Sequence, residues 1–152
     1  MDALSALGRA AAPRPTAAKG AGGLSKTPED QAALQKLQAR DREVRAHEQA
    51  HLSAAGDIAR GGPTYTYQRG PDGRMYAIGG EVSLDTSPVP DDPQATLAKA
   101  RQIQAAATAP ADPSPQDRAI AAAAAQMAAA ASLELARKQA RGTEPGGIDL
   151  EA

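Results

Sequence analysis

Glu43-Val44-Arg45-Ala46-His47-Glu48-Gln49-Ala50-His51 is the stretch that decides how this chain is read. Its last five residues spell H-E-x-x-H. On an α-helix the two histidines lie one turn apart on one face, so both imidazoles can reach a single metal ion. Glu48 projects beside them, where a carboxylate can take a proton from water that the metal activates. The chain has 2 histidines, and both fall here. Random placement at this composition gives the arrangement roughly 6 times in 10,000. The bland alternative is a solvated helix with incidental histidines, and the neighbouring residues argue against it. Leu37, Val44, His51 and Ile58 are spaced by sevens, and His47 lies one turn before His51, so the histidines share the apolar face that a helix turns inward. Lys36, Arg40 and Arg45 mark the solvated side.

Composition allows one small domain with a thin core. Hydrophobic residues make up 41% of 152, but 38 of them are alanine; Phe and Trp are absent, and the large apolar groups are 11 Leu, 5 Ile, 3 Val, 3 Met and 3 Tyr. A buried alanine methyl contributes about 1 kcal/mol or less. A chain with so little core needs a staple such as a disulfide, a metal or a partner. The absence of cysteine excludes disulfides and thiolate metal sites and leaves His and carboxylate ligands. A net charge of −1 makes no electrostatic case for nucleic acid or an anionic membrane as partner. The N-terminal residues contain no continuous apolar run of secretory type, and the longest apolar stretch, 119–133, is mostly alanine and short for a membrane span. The expectation is a cytoplasmic protein.

Residues 1–26, rich in Ala, Gly, Pro, Arg and Lys, read as a disordered leader, and 142–152 as a disordered tail. The domain is expected over 27–141. Three helix starts inside it share one grammar: Thr27-Pro28-Glu29-Asp30, Asp92-Pro93-Gln94 and Ser114-Pro115-Gln116-Asp117. Each places a capping side chain before a proline, and the first and last add a carboxylate at the third helical position. Helices are predicted from 28 to 56–60, 93 to 109 and 115 to 141. Between the first two, 64–69 and 74–78 alternate around Gly70-Pro71-Asp72-Gly73 and predict a β-hairpin. A four-residue turn would set Tyr67 opposite Tyr76 and Tyr65 opposite Ile78, whereas a three-residue Pro-Asp-Gly loop would split them.

Two histidines leave a catalytic zinc one protein ligand short. Asp57 stands six residues after His51, the ligand position of the H-E-x-x-H-x-x-G-x-x-H class, but that class needs glycine where this chain has Ala54. Glu81 follows Gly79-Gly80, where the backbone can approach a neighbour closely, and is the first choice. Its structural alternative is a salt-bridged strand end or a helix cap. Asp85 is a further candidate.

The segments E-V-R-A-H-E-Q-A-H (43–51), G-G-P-T-Y-T-Y-Q (61–68), G-P-D-G-R-M-Y-A-I-G-G-E-V-S (70–83) and D-T-S-P-V-P (85–90) follow one another at fitting separations. Together they resemble the SprA-related family of bacterial proteins, which is named for metalloprotease activity inferred from its motif. The resemblance runs over roughly 40–135. It implies zinc at His47 and His51 with Glu48 as base, and it makes Gly-Glu-Val at 80–82 a family hallmark, which favours Glu81. The expected fold is mainly α with one β-hairpin, a minimal zincin-like α+β arrangement of a long active-site helix, the hairpin and two further helices. The expected function is zinc-dependent hydrolysis of a peptide or protein substrate. His47, His51 and Glu81 are the expected ligands of Zn2+, and Glu48 the proton acceptor. Tyr67 or Tyr76 is expected as the donor to the oxyanion. One rival is a non-catalytic zinc-binding fold closed by a fourth ligand. Another is a helical interaction protein in which the motif is accidental.

Overall fold

A short polar residue followed by proline sets each helix start. Helix α1 spans Pro28–Ala55, α2 Pro93–Ala107 and α3 Pro115–Gly142, with strands β1 (Thr64–Arg69) and β2 (Met75–Glu81) between the first two. The computed structural model describes residues 27–142; the expected leader over 1–26, and the expected tail apart from Gly142, lie outside the described residues. At α1 the Thr27 hydroxyl accepts from the Asp30 N–H and the Asp30 carboxylate accepts from the Thr27 N–H, both at 3.1 Å. Ser114 and Asp117 repeat this reciprocal pair at α3, at 3.1 and 2.7 Å. At α2 the Asp92 carboxylate accepts from the Ala95 N–H at 2.8 Å. These bonds satisfy amide groups that the first helical turn leaves open. The mainly helical fold with one hairpin is as the sequence led us to expect.

The hairpin closes through the three-residue loop. Gly70 N–H donates to the Arg74 carbonyl at 2.8 Å, and Gly73 takes a φ of +79°, which a side chain would resist. Tyr67 therefore faces Ala77 and Tyr65 faces Gly80, and a register shift beyond Tyr67 leaves Ile78 as the extra residue of β2. Two strands alone are not stable, and α1 supplies the support. The Asp41 carboxylate accepts the Ala77 N–H at 2.7 Å, and Arg40 Nε donates to the Ile78 carbonyl at 3.1 Å. Below the hairpin the chain is cinched. Arg60 N–H donates to the Ser83 carbonyl and Asp85 N–H to the Ile58 carbonyl, each at 2.8 Å.

The apolar core is as thin as the composition requires. Ala55, Ile58, Ile103, Ala106 and Ala124 form it, with Leu84, Ile120 and Met127 packed around them. Buried alanines on α2 (Ala100, Ala106, Ala107) and α3 (Ala124, Ala131) let helices approach closely. Taken whole, α3 is long and apolar enough by length and composition to cross a membrane, although most of it is exposed here; the sequence expectation had counted only 119–133.

Ile103 is the largest fully buried side chain among the described residues. Ile103→Ala is expected to cost about 2–5 kcal/mol of unfolding free energy in a denaturant titration, a large share of what a small domain has.

Asp85, one of the candidate ligands, is instead a structural strut. Its carboxylate pairs with Lys99 at 2.8 Å and Arg60 at 2.9 Å, and accepts the Ser87 N–H and hydroxyl. Lys99 above all, then Ser87, holds its carboxyl well below the usual aspartate range. A depressed folded pKa stabilises the fold above the unfolded value, about 3.9, and that contribution is lost as the pH falls below it. Thermal midpoints of the protein and Asp85→Asn should therefore differ at pH 6 and converge as the pH is lowered through about 4 towards 2. A gap that persists unchanged at the acid end would contradict the assignment.

Candidate metal centre

Residues Val44, Glu48, His51, Ala55 and Ile58 form one buried stripe along α1 and the turn after it. A helix that turns this stripe inward must bury an imidazole and a carboxylate together. His51 is 4% exposed and Glu48 3%, so each needs a partner for its polar atoms.

His51 has its partners. Its Nδ1 lies 2.8 Å from the Ala106 carbonyl on α2. A carbonyl can only accept, so Nδ1 carries the proton and the Nε2 lone pair points away from α2. That Nε2 stands 3.1 Å from His47 Nε2, with the rings edge to face at 74°. Facing both is Asp117 Oδ2, 3.4 Å from His47 Nε2 and 3.3 Å from His51 Nε2. Ligand atoms about 2.0–2.1 Å from a tetrahedral ion are separated by about 3.3 Å, so three donors at these spacings suit one metal ion. Among the described residues, His47, His51 and Asp117 are the group that could hold one.

The third group of this cluster is not the residue expected from the sequence. In the sequence Asp117 reads as the carboxylate of a capping box, and it does serve as one: the Oδ2 that faces the imidazoles also accepts the Ser114 N–H at 2.7 Å. Burial pushes its carboxyl up, but the Ser114 hydroxyl and N–H and the facing imidazoles outweigh that, and the net direction is down. The helix cap thus keeps the carboxylate charged and aimed. One sequence signal pointed this way: Asp117 lies on the stripe of Ile120, Ala124, Met127 and Ala131, where a carboxylate is out of place unless paired.

Glu81 ends β2 at the rim. It lines a small cavity of 70 Å³ together with His47, Glu48, His51 and Asp117, but the converging group is made without it. Asp57 is taken up elsewhere, accepting from Gln102 Nε2 at 2.8 Å. Neither tyrosine reaches the centre. The Tyr76 hydroxyl donates to Asp72 at 2.6 Å inside the hairpin loop, and Tyr67 lies half exposed beside Tyr65. The three-residue loop explains this, because it sets that hydroxyl back against its own turn.

Glu48 lies beside the three donors. Its Oε2 is buried with no hydrogen-bond partner. Burial raises its carboxyl pKa, opposed by the two imidazoles and reinforced by Asp117 and Glu81. A buried carboxylate oxygen without a partner, next to two histidines and an aspartate, fits a group of residues that could hold a metal ion. Outside the small cavity runs a groove of 710 Å³, walled by α1, by Gly79 and Gly80, and by the α2–α3 connection over 109–115. His47 and Glu48 line both spaces.

A model of the SprA-related family matches residues 22–144, and the chain belongs to that family. No curated protein and no solved structure matches the chain.

Gly80 is the contact that brings the hairpin to the site. A Cβ there would lie 2.9 Å from Glu48 Cγ, 3.0 Å from Glu48 Oε1 and 2.9 Å from the Thr64 carbonyl. Glu48 could yield, but the backbone oxygen cannot. Gly80→Ala is expected to lower stability by about 1–3 kcal/mol, as overpacking does, and to separate β2 from α1. Thermal unfolding, with amide exchange at Ala77 as the local probe, measures both effects. An unshifted midpoint with undiminished protection would show that this approach is not tight.

Proposed function

We propose that the chain is a zinc-dependent peptidase whose ion is held by His47 Nε2, His51 Nε2 and Asp117 Oδ2. The observation that carries this reading is the meeting of three donors spaced 3.1–3.4 Å apart beside a buried carboxylate oxygen without a partner. Two imidazoles and a carboxylate, with no cysteine in the chain, form a donor set that suits zinc. When bound, the ion supplies a Lewis acid that polarises a carbonyl and acidifies water.

The remaining work belongs to the chain. Ala106 fixes the His51 tautomer, and Ser114 fixes the Asp117 carboxylate. Glu48 Oε2 accepts the proton of the attacking water and returns it to the departing amine. Its raised pKa makes the carboxylate a stronger base than a solvated glutamate, which favours that proton transfer. The open groove of 710 Å³ takes an extended peptide past His47 and Glu48.

A second reading, a non-catalytic zinc site, draws support from Glu81. It lines the small cavity and would close the coordination sphere as a fourth ligand. One set of variants separates the two, with metal content measured by mass spectrometry and affinity by competitive zinc titration. On the peptidase reading the protein retains one zinc, Asp117→Ala loses affinity steeply, and Glu81→Ala loses little. Glu48→Gln keeps its zinc while hydrolysis of a casein substrate falls by about a hundredfold or more. If Glu81→Ala weakens binding as much as Asp117→Ala and no variant or parent hydrolyses casein, the site is structural.

A further inference from the structure

The small cavity at the histidines shares part of its wall with another space. Gln116 and Ile120 line it, and the same two residues line a second cavity of 370 Å³ between α2 and α3. There Ile103, Ala119, Ala123 and Met127 complete a wall whose polar members are Thr86 and Gln116, with no charged side chain. The groove on the other side of the centre is different in kind, since Arg40, Glu43, Asp112 and Arg118 stand along it.

This contrast separates two kinds of contact. A charged or strongly polar side chain can lie along the groove and keep its water. In the second cavity a charged side chain would lose hydration without meeting an opposite charge. An aliphatic group loses nothing there and gains from leaving water. The wall is also unfinished as a core: Ile120 and Met127 are only half-buried, and Ala119 and Ala123 are exposed. The cavity is therefore open to an occupant, and it adjoins the centre through residues common to both.

Resting on the peptidase reading above, we infer that this apolar cavity is the specificity subsite of the centre. It takes one large aliphatic side chain, of leucine or methionine type, from the substrate residue next to the bond presented to Glu48. Ile120 and Gln116 form the threshold, and Ala119 and Ala123 set the depth, because their small size leaves the space open.

The test is calorimetric binding of two zinc-chelating probes to the zinc-loaded protein: acetohydroxamic acid, and the same compound with an isobutyl group on its α-carbon. The isobutyl probe should bind tighter by on the order of ten- to a hundredfold, the range for burying a leucine-sized side chain. Ala119→Leu and Ala123→Leu each fill the cavity from an exposed position, and in either one the ratio between the probes should fall to near unity. Equal affinity of the parent protein for both probes overturns the subsite while leaving the metal centre standing. So does a ratio that survives in both leucine variants, since the isobutyl group would then lie elsewhere. If acetohydroxamic acid itself fails to bind, the metal reading is lost and the subsite with it.

Discussion

A buried imidazole needs a partner for each ring nitrogen, and the arrangement of this protein follows from how His51 obtains its two. Nδ1 is met by the Ala106 carbonyl, which lies in the last turn of α2, so α2 must end beside the C-terminal turns of α1. Nε2 then carries the lone pair and faces His47 from one turn earlier, with Asp117 from the first turn of α3 standing beside both imidazoles. Three helices therefore converge on one side chain. Removing it would leave a carbonyl and a carboxylate facing each other in a poorly solvated space, a costlier outcome than the loss of the bonds themselves.

The hairpin joins this centre from the other side by different means. Its register is set by the Pro-Asp-Gly loop, and its position by Asp41 and Arg40, which engage consecutive backbone groups at Ala77 and Ile78. Arg45 holds Asp41 in place at 3.0 Å and lies over the Tyr65 ring. A single polar relay on α1 thus carries both the helix-facing edge and the outer face of the sheet. Gly80 then brings β2 down onto Glu48, closing the carboxylate off from water. Burial of Glu48 is in this sense a product of the hairpin, although the residue belongs to α1.

Much of this was legible from residues alone, and where it was not the reason is physical. Helix starts were readable because Thr27, Asp92 and Ser114 act on amides three residues away, within the reach of local sequence. The inward stripe of α1 was readable because period and burial are the same statement. The hairpin register was open because both loop lengths satisfy the same Gly-Pro-Asp-Gly, and the choice turns on Gly73 accepting a positive φ. Asp117 was hidden behind a role it really has. A capping carboxylate is fully explained by its own turn, so nothing local asks for a second partner 66 residues away in the chain. Glu81 drew the reading because Gly79-Gly80 promises a close approach. The approach is real, but what comes close is Glu48 rather than a ligand sphere.

That double role of Asp117 ties the site to the fold. α3 is largely alanine, and it reaches α1 through Ile120 and Ala124 at the core and through Asp117 at the centre. Apolar contacts of this size contribute little each. An ion held between Asp117 and the two histidines would link the start of α3 directly to α1, and it would bind the folded chain alone because the three donors meet only there. At 100 times its dissociation constant such an ion adds about 2.7 kcal/mol to the stability of the fold. For a chain with no cysteine, phenylalanine or tryptophan, that is comparable with the loss of a buried isoleucine side chain. Metal affinity and the docking of α3 are then one equilibrium seen from two ends. A change far along α3 that loosens its packing on α2, such as at Ala131, would weaken the centre without touching it.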